Sequence, residues 1–413
     1  MFNKKIQIFI CFLIIFCFFS LAEEKNIPER IILNLTPNPA CEIAVTWRTN
    51  LWSEKPRVEL MKATAGSSGS GDTDINKVYK NVQFFPAVTE KVKIKEDIYV
   101  FSHSLVLKNL DPETLYQYRV GNGKTWSEWE HFRTASLEEK PFKFIYLGDP
   151  QNDIKSYCSR AFRSAYSAAP DSKFILVTGD LVSRPWEDFS WGDLFYAAGW
   201  VTKRVPFVMV TGNHGYYHEA RSADVDGYLH WLWRPHFTQP QNGPVGMGET
   251  AFYFVYQGVK FIVLNGNEKL AEQVKWLEEL LKNNNSRWTI LAIHQPVYST
   301  GKDRDNPELR GMLLPVIDKY DVDLVLQGHD HTYGRTYKLK NGKIVCDNEK
   351  GTVFVVSVSG PKFYPINEKH KKLMAKLGTD LQLYQVISVE KNSIIYESWT
   401  VTGEIFDSFQ LTK

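Results

Sequence analysis

The sequence predicts two domains of different class in one chain, an N-terminal all-β sandwich followed by a C-terminal α/β domain, and three observations carry that prediction. From Ile27 to Thr134 the apolar residues recur with a period of two in short runs, and no helical period separates them. After a polar stretch from Ala135 to Lys140, short unbroken apolar runs alternate with longer segments of helical period. Five of those later runs stop abruptly at Asp, Asn or His, the pattern of strands buried on both faces whose ends open on a site. The expected boundaries are a leader over 1–22, the β domain over 27–135 and the α/β domain over 141–413.

The leader comes first. Lys4 and Lys5 precede an apolar run from Ile8 to Phe19, and Ser20-Leu21-Ala22 offers small residues for cleavage, so the segment reads as a secretory signal. The run is short of the about 20 residues that span a bilayer. A secreted or lumenal protein is expected, endolysosomal delivery included, with no membrane span once the signal is removed. Loss of the two lysines takes the formal charge from +2 to zero, so no basic field calls for nucleic acid as a partner. Cys41, Cys158 and Cys346 remain, enough for one bridge and a free thiol or for none; Cys346 is expected on a strand, buried or paired. Asn34-Leu35-Thr36, followed by Pro37, and Asn284-Asn285-Ser286 are sequons for glycosylation.

In the β domain, Glu42–Trp47, Arg57–Leu60 and Phe101–Leu107 read as strands, the last with Ser102 and Ser104 turned outward. Ala65 to Asp72 is a Gly/Ser loop. The α/β domain opens with a strand over Phe142–Leu147, a helix over Tyr157–Ala169 before Pro170, and a strand from Phe174 to Val177. An aromatic-rich helical stretch, Trp186–Trp200, is read as packing, and Phe207–Thr211 is the next strand. Phe252–Tyr256, Phe261–Leu264, Trp288–Ile293, Val322–Leu326, Thr352–Ser357, Gln385–Val389 and Ile394–Trp399 follow as strands. Between them, Val274, Leu277, Leu280 and Leu281 give Glu268–Lys282 an amphipathic helical face.

By strand end, the polar residues are Asp149, Asp180, Asn213 with His214, His294, and His329 with His331. Carboxylates, an amide oxygen and imidazoles together suit borderline transition metals better than calcium. A single tetrahedral zinc leaves donors over. Two metals sharing one carboxylate use the set better, and such pairs lie about 3.5 to 4 Å apart.

The order Gly148-Asp149, Gly179-Asp180, Gly212-Asn213-His214, His294 and Gly328-His329-x-His331 resembles the calcineurin-like metallophosphoesterase superfamily. Leu110-Asp111-Pro112 followed by Tyr116 resembles the corner of a fibronectin type III domain, and the two together resemble the purple acid phosphatase family. The resemblance implies a four-layered β-sandwich flanked by helices. It implies that Asp149 and His331 hold a first metal, that Asp180 bridges, and that Asn213, His294 and His329 hold a second. His214 would be the catalytic residue beside them, protonating the leaving group of a small phosphate monoester attacked by a metal-bound hydroxide.

Departures from that family narrow the expectation. Ser183 stands where purple enzymes carry the iron-binding tyrosine three residues after the bridging Asp, so a ferric-tyrosinate centre is not expected and the pair is drawn from Fe, Zn or Mn. Gln151 is a further candidate ligand, by its amide oxygen, or a hydrogen-bond donor to a ligand. Gly215 follows His214 where many relatives place an acid that orients the histidine. Lys302, Arg304 and Arg310 read as loop charges with phosphate contact as the alternative, and His103, His131, His230 and His236 lack ligand spacing. Two other functions stay open: a phosphodiesterase or nucleotide pyrophosphatase, and a surface interaction protein with a vestigial metal site.

Overall fold

The computed structural model describes residues 26–65, 82–217 and 228–413. The expected signal segment and most of the Gly/Ser loop lie outside the described residues. Among those described, no helix is long and apolar enough to cross a membrane.

Alternation along single strands builds the layers. On the strand Phe142–Leu147, Phe144 and Tyr146 point to one face while Ile145 and Leu147 point to the other. One face packs against a second sheet, where Phe142, Phe144 and Phe174 meet Phe254, Tyr256 and Phe261, with Phe144 and Phe174 stacked at 4.9 Å. The other face is covered by two helices, Ser159–Ala168 and Asp188–Ala198, through Phe162, Ala165, Trp191 and Leu194. The second sheet is covered in turn by Leu270–Lys282 and Pro307–Lys319, whose Leu277, Leu281, Leu313 and Ile317 sit on Ile262, Leu291 and Val325. Helix, sheet, sheet, helix gives the four layers. Both sheets need apolar residues on both faces, which explains why their strands read as unbroken apolar runs.

Among the described residues the larger sheet has ten strands and runs through both sequence halves. Its α/β part orders Ile405–Thr412, Ser393–Thr400, Leu383–Val389, Phe142–Leu147, Ile175–Val177 and Phe207–Met209. The sheet then continues into Glu29–Asn34, Ile43–Thr49, Ile98–Leu107 and Val88–Lys95. The join is Asn34, which pairs in parallel with Phe207, donates from Nδ2 to its carbonyl at 2.9 Å, and accepts from the Thr238 N–H at 3.1 Å. A separate four-stranded sheet, Gln83–Pro86, Arg57–Lys62, Leu115–Gly121 and Glu130–Arg133, closes the N-terminal sandwich. At its corner the Asp111 N–H donates to the Tyr116 hydroxyl at 2.8 Å, as the Leu-x-Pro…Tyr pattern implies.

Three expectations are corrected here, those on Ser102, Asn34 and Cys346. Ser102 is buried, not turned outward, and its hydroxyl donates to the Pro235 carbonyl at 2.6 Å. The face it occupies is covered by Leu232, Trp233 and Phe237 of the α/β half, which pack with Ile32, Val92 and Val100. The polar stretch at 135–140 is held at both ends: Gln257 accepts from the Ser136 N–H and donates to the Lys140 carbonyl. Asn34, the first sequon, is fully buried in the sheet join and closed to a glycan. Cys346 lies exposed in a turn, and Cys41, Cys158 and Cys346 form no disulfide.

Candidate metal centre

The strands Phe142–Leu147, Ile175–Val177 and Phe207–Met209 run parallel in one sheet, and Trp288–Ala292 and Leu324–Gln327 run parallel in the other. Their carboxyl ends meet where the two sheets face each other, and each delivers its polar residues to the same point. The chain turns sharply there. Asp149, Asp180, His329 and His331 all have positive φ, at 44°, 47°, 72° and 50°. Left-handed backbone at four non-glycine residues is costly, and such strain gathers where geometry is held for a purpose.

The glycines of the motifs make room for the ligands of other strands. A Cβ on Gly212 would lie 2.2 Å from Asp180 Oδ1, and one on Gly328 would lie 2.3 Å from Asp149 Oδ2. Any side chain there would push a carboxylate off the site.

All six expected donors come together, in two groups that share Asp180. Asp180, His294 and His329 form one, and Asp149, Asp180 and His331 the other, with candidate atoms in each within 4.8 Å of one another. Asn213 completes the first group: its Oδ1 lies 3.1 Å from His294 Nε2 and 2.9 Å from His329 Nδ1, and those two nitrogens are 3.1 Å apart. His294 Nε2 is also 3.2 Å from Asp180 Oδ2. The Thr178 carbonyl can only accept, so the 2.7 Å contact to His294 Nδ1 places a proton there and turns Nε2 toward the other donors. In the second group His331 Nε2 lies 3.9 Å from Asp149 Oδ1. The His329 N–H holds the Asp149 carboxylate at 2.7 Å, and buried Asp330 pins the turn by accepting from the Thr300 and Gly301 N–H groups.

Electrostatics follow from burial and crowding. Burial pushes Asp149 up to about 8, with Asp180 adding to the rise and His294 opposing it. Burial works against a charge on Asp180 as well, but His294, His214 and His329 together hold it well below the usual carboxylate range. His294 overcomes its own burial and rises to about 9 beside Asp180 and Asp149. Burial keeps His329 well below its ordinary value and His331 at about 3, so both present lone pairs at neutral pH.

The donor set fits metal. Asn213 Oδ1, His294 Nε2, His329 Nδ1 and Asp180 Oδ2 crowd around one point, acceptor against acceptor, with few protons to share. A cation between them satisfies what the protein leaves open.

The remaining candidates sort by position. Gln151 turns its amide nitrogen to the site, donating to Asp180 Oδ2 at 2.9 Å and lying 3.0 Å from His331 Nε2. His214 donates its backbone N–H to Asp180 Oδ1 at 2.9 Å, and its Nδ1 lies 3.1 Å from the Ser183 carbonyl. That carbonyl does the orienting for which the sequence offered no acid; being backbone, it leaves no mark in a residue pattern. Arg304 reaches the rim, donating to the His329 carbonyl at 2.7 Å and lying over the Tyr364 ring. Tyr364, which sequence reasoning passed over, sits edge-on to His331 at 5.5 Å. Arg310 is spent on Asp305 and the Val297 carbonyl, and Lys302 is exposed. Trp191 is buried packing, stacked on His236 at 4.5 Å.

The fold and the grouped donors are those of a calcineurin-like phosphoesterase domain, and the model of that family matches residues 142–333. The profile of the purple acid phosphatase N-terminal domain matches residues 28–134. The chain thus pairs a region matching the purple acid phosphatase N-terminal domain with a region matching the calcineurin-like phosphoesterases. An uncharacterized protein of Mycobacterium tuberculosis is 26% identical over 80% of this chain and 69% of its own length. The Fe(3+)-Zn(2+) purple acid phosphatase 12 of Arabidopsis thaliana is 25% identical over 58% of this chain and 53% of its own length. The solved purple acid phosphatase from yellow lupin (Lupinus luteus) seeds shares the fold, with a TM-score of 0.76 and 19% identity over 94% of this chain and 74% of that one.

Proposed function

We propose that the chain is a secreted or lumenal dinuclear-metal phosphohydrolase acting on small phosphate monoesters. The observation that carries the reading is the pair of donor groups sharing one carboxylate, Asp180. Asp149 and His331 would hold the first metal, Asn213, His294 and His329 the second, and Asp180 both. Iron, zinc and manganese fit this donor set, and a relative is named for Fe(3+) and Zn(2+). When bound, the metals would neutralise phosphoryl oxygens and bring the pKa of a coordinated water near neutrality.

The protein's own groups supply the rest. The Ser183 carbonyl accepts a hydrogen bond from His214 Nδ1–H, so the proton given to the departing ester oxygen would come from Nε2. Gln151 donates to Asp180 and fixes the shared carboxylate. The five strand ends hold the donors in place before substrate arrives, so little reorganisation is left for the reaction.

The test is hydrolysis of phenyl phosphate by the purified chain beside Asp180→Asn, with metal counted on both. About two metals per chain with turnover, both lost in the variant and turnover falling by about 10³-fold or more, is the expected result. Bound metal without turnover on mono- or diesters would overturn the enzyme reading in favour of an interaction protein.

A further inference from the structure

The outer face of the small N-terminal sheet carries alternating aromatic rings and guanidinium groups that the metal centre does not use. On the strand Arg57–Lys62, Val58 and Leu60 turn into the core, so Arg57 and Glu59 share the other face. On its partner Leu115–Gly121, Tyr118 and Val120 turn inward, which puts Arg119 and Gly121 on that same outer face. Arg57 Cζ lies 4.7 Å from the centre of the Phe84 ring and 5.2 Å from that of Trp126. Arg119 Cζ lies 4.5 Å from Trp126 and 4.7 Å from Trp129. Buried Glu59 accepts from Arg119 Nε at 2.6 Å and lies 3.8 Å from Arg57, so both cations are held in register with the rings.

Trp126 is the centre of this stack, half-buried and in contact with both guanidinium groups. Gly121 makes room for it: a Cβ there would fall 2.6 Å from Trp126 Cε3. The strand backbone thus meets the six-membered ring, and Cδ1 lies across the Cβ–Cγ axis from that contact. The sequence around it is Trp126-Ser127-Glu128-Trp129. Of the twelve tryptophans in the chain, only these two stand three apart. Trp-x-x-Trp is the pattern at which enzymes of the secretory lumen join mannose to the first indole through a carbon–carbon bond, a glycosylation distinct from that of asparagine sequons.

We propose that Trp126 is a C-mannosylation site, with Trp129 as the second half of the pattern that marks it. The inference rests on the secreted or lumenal reading above and is independent of the phosphohydrolase one. In the transfer, the electron-rich indole Cδ1 attacks the anomeric carbon of a lipid-linked mannosyl phosphate. A carbon–carbon bond forms, the bond from the anomeric carbon to the phosphate oxygen breaks, and the lipid phosphate leaves with that electron pair. The hydrogen on Cδ1 departs as a proton, which restores the aromatic ring and with it the attraction for Arg57 and Arg119. A sugar joined at the ring edge leaves the ring faces to the guanidinium groups, and its hydroxyls offer acceptors to their N–H donors. The stack and the modification are therefore compatible on one residue.

The experiment is peptide mass analysis of the full chain expressed in mammalian cells, whose secretory lumen supplies that mannosyl donor, beside Trp126→Phe and Trp129→Ala. The N-terminal peptide reports whether the leader has been removed, and thermal melting checks that the variants fold. The expected wild type begins after Ala22 and carries one hexose on the peptide spanning Trp126. That hexose should stay on the tryptophan through fragmentation and through alkali, which strips sugars from serine and threonine. Trp126→Phe keeps a ring beside the arginines and should carry none, and Trp129→Ala should carry none although its acceptor remains. Should Trp129→Ala fail to fold, the wild type and Trp126→Phe still decide the site. A bare Trp126 in a chain whose leader is gone, or a hexose on Thr125 or Ser127 instead, would overturn the proposal and leave the lumenal reading standing. A hexose kept in Trp129→Ala would overturn the role given to Trp129. A chain that keeps residues 1–22 and carries no hexose would remove both the proposal and the lumenal reading.

Discussion

Two buried knots of charge in this molecule look alike in composition and differ in how completely they are paired. At the junction between the N-terminal sandwich and the α/β half, Arg30 and Arg48 both grip Asp188, each reaching its two oxygens at 2.7 and 2.8 Å. Arg48 also donates to Glu29, and His236 takes Arg30 on Nε2 while Nδ1 donates to the Leu232 carbonyl. Each charged group in that knot meets an opposite charge. At the strand ends, by contrast, carboxylates, imidazoles and an amide oxygen face one another with too few protons to go round. A buried polar cluster that closes on itself holds the fold, whereas one that does not close is built for a ligand.

The largest effect should come from breaking the closed knot. Asp188→Ala leaves two buried guanidinium groups without a carboxylate between them, a loss of about 3 to 5 kcal/mol. Urea unfolding measures it, and metal bound per folded chain should stay at the wild-type value. If Asp188→Ala and Asp180→Asn instead lose metal alike, the two knots are one functional unit and the distinction fails.

Acid should open the same knot. Burial, with Arg30 beside it, keeps His236 at about 3 against an ordinary value of 6.5. A folded-state value below the unfolded one means that the unfolded chain binds the extra proton first. His236 therefore stabilises fully above about pH 6.5 and progressively less as pH falls toward 3, with a ceiling of about 5 kcal/mol. Urea midpoints between pH 7 and 4, taken with chelator present so that metal does not contribute, should fall less steeply in His236→Gln than in the wild type. Parallel slopes would assign the acid loss elsewhere, with His103 and His230, both at about 4 through burial, the next candidates.

The open knot was legible in the sequence and the closed one was not, for a physical reason. Each site donor directly ends or closely follows an apolar strand, and Gly212 and Gly328 are glycine because a neighbouring strand's carboxylate passes over them, so the pattern is local. Asp188 meets Arg48 and Arg30 across 140 and 158 residues, a pairing that no spacing reveals. The sheet join at Asn34 and Phe207 is equally remote, and it turned an apparent sequon into core. Ser102 misled because alternation shows which residues share a face and not whether that face is covered. The helix Pro307–Lys319 escaped notice although Leu309, Leu313, Val316 and Ile317 are spaced for one face, because Gly311 and Pro315 interrupt it with the two poorest helix formers.

Gly212→Ala sharpens the contrast without removing a donor atom. Its Cβ would fall 2.2 Å from Asp180 Oδ1 and 2.3 Å from the Asp180 nitrogen, so the shared carboxylate must move. The expected outcome is a loss of about 10 to 100-fold in metal affinity, the range seen when a ligand loses its support. Competition with a chelating dye reads it. Unchanged affinity would mean that the position of Asp180 does not govern metal binding.

The smallest effect is the matching control away from both knots. A Cβ on Gly311 meets nothing within 4 Å, and the residue lies inside the helix Pro307–Lys319. Alanine there removes backbone freedom from the unfolded chain and adds helix propensity, so Gly311→Ala should stabilise by about 0.5 to 1 kcal/mol. Metal affinity and turnover should not move. The opposite signs of two Gly→Ala changes, one against a carboxylate and one against solvent, would tie the motif glycines to the site they crowd. Destabilisation by Gly311→Ala would instead show that glycine serves packing in this fold generally, and the glycines before the donors would lose their special meaning.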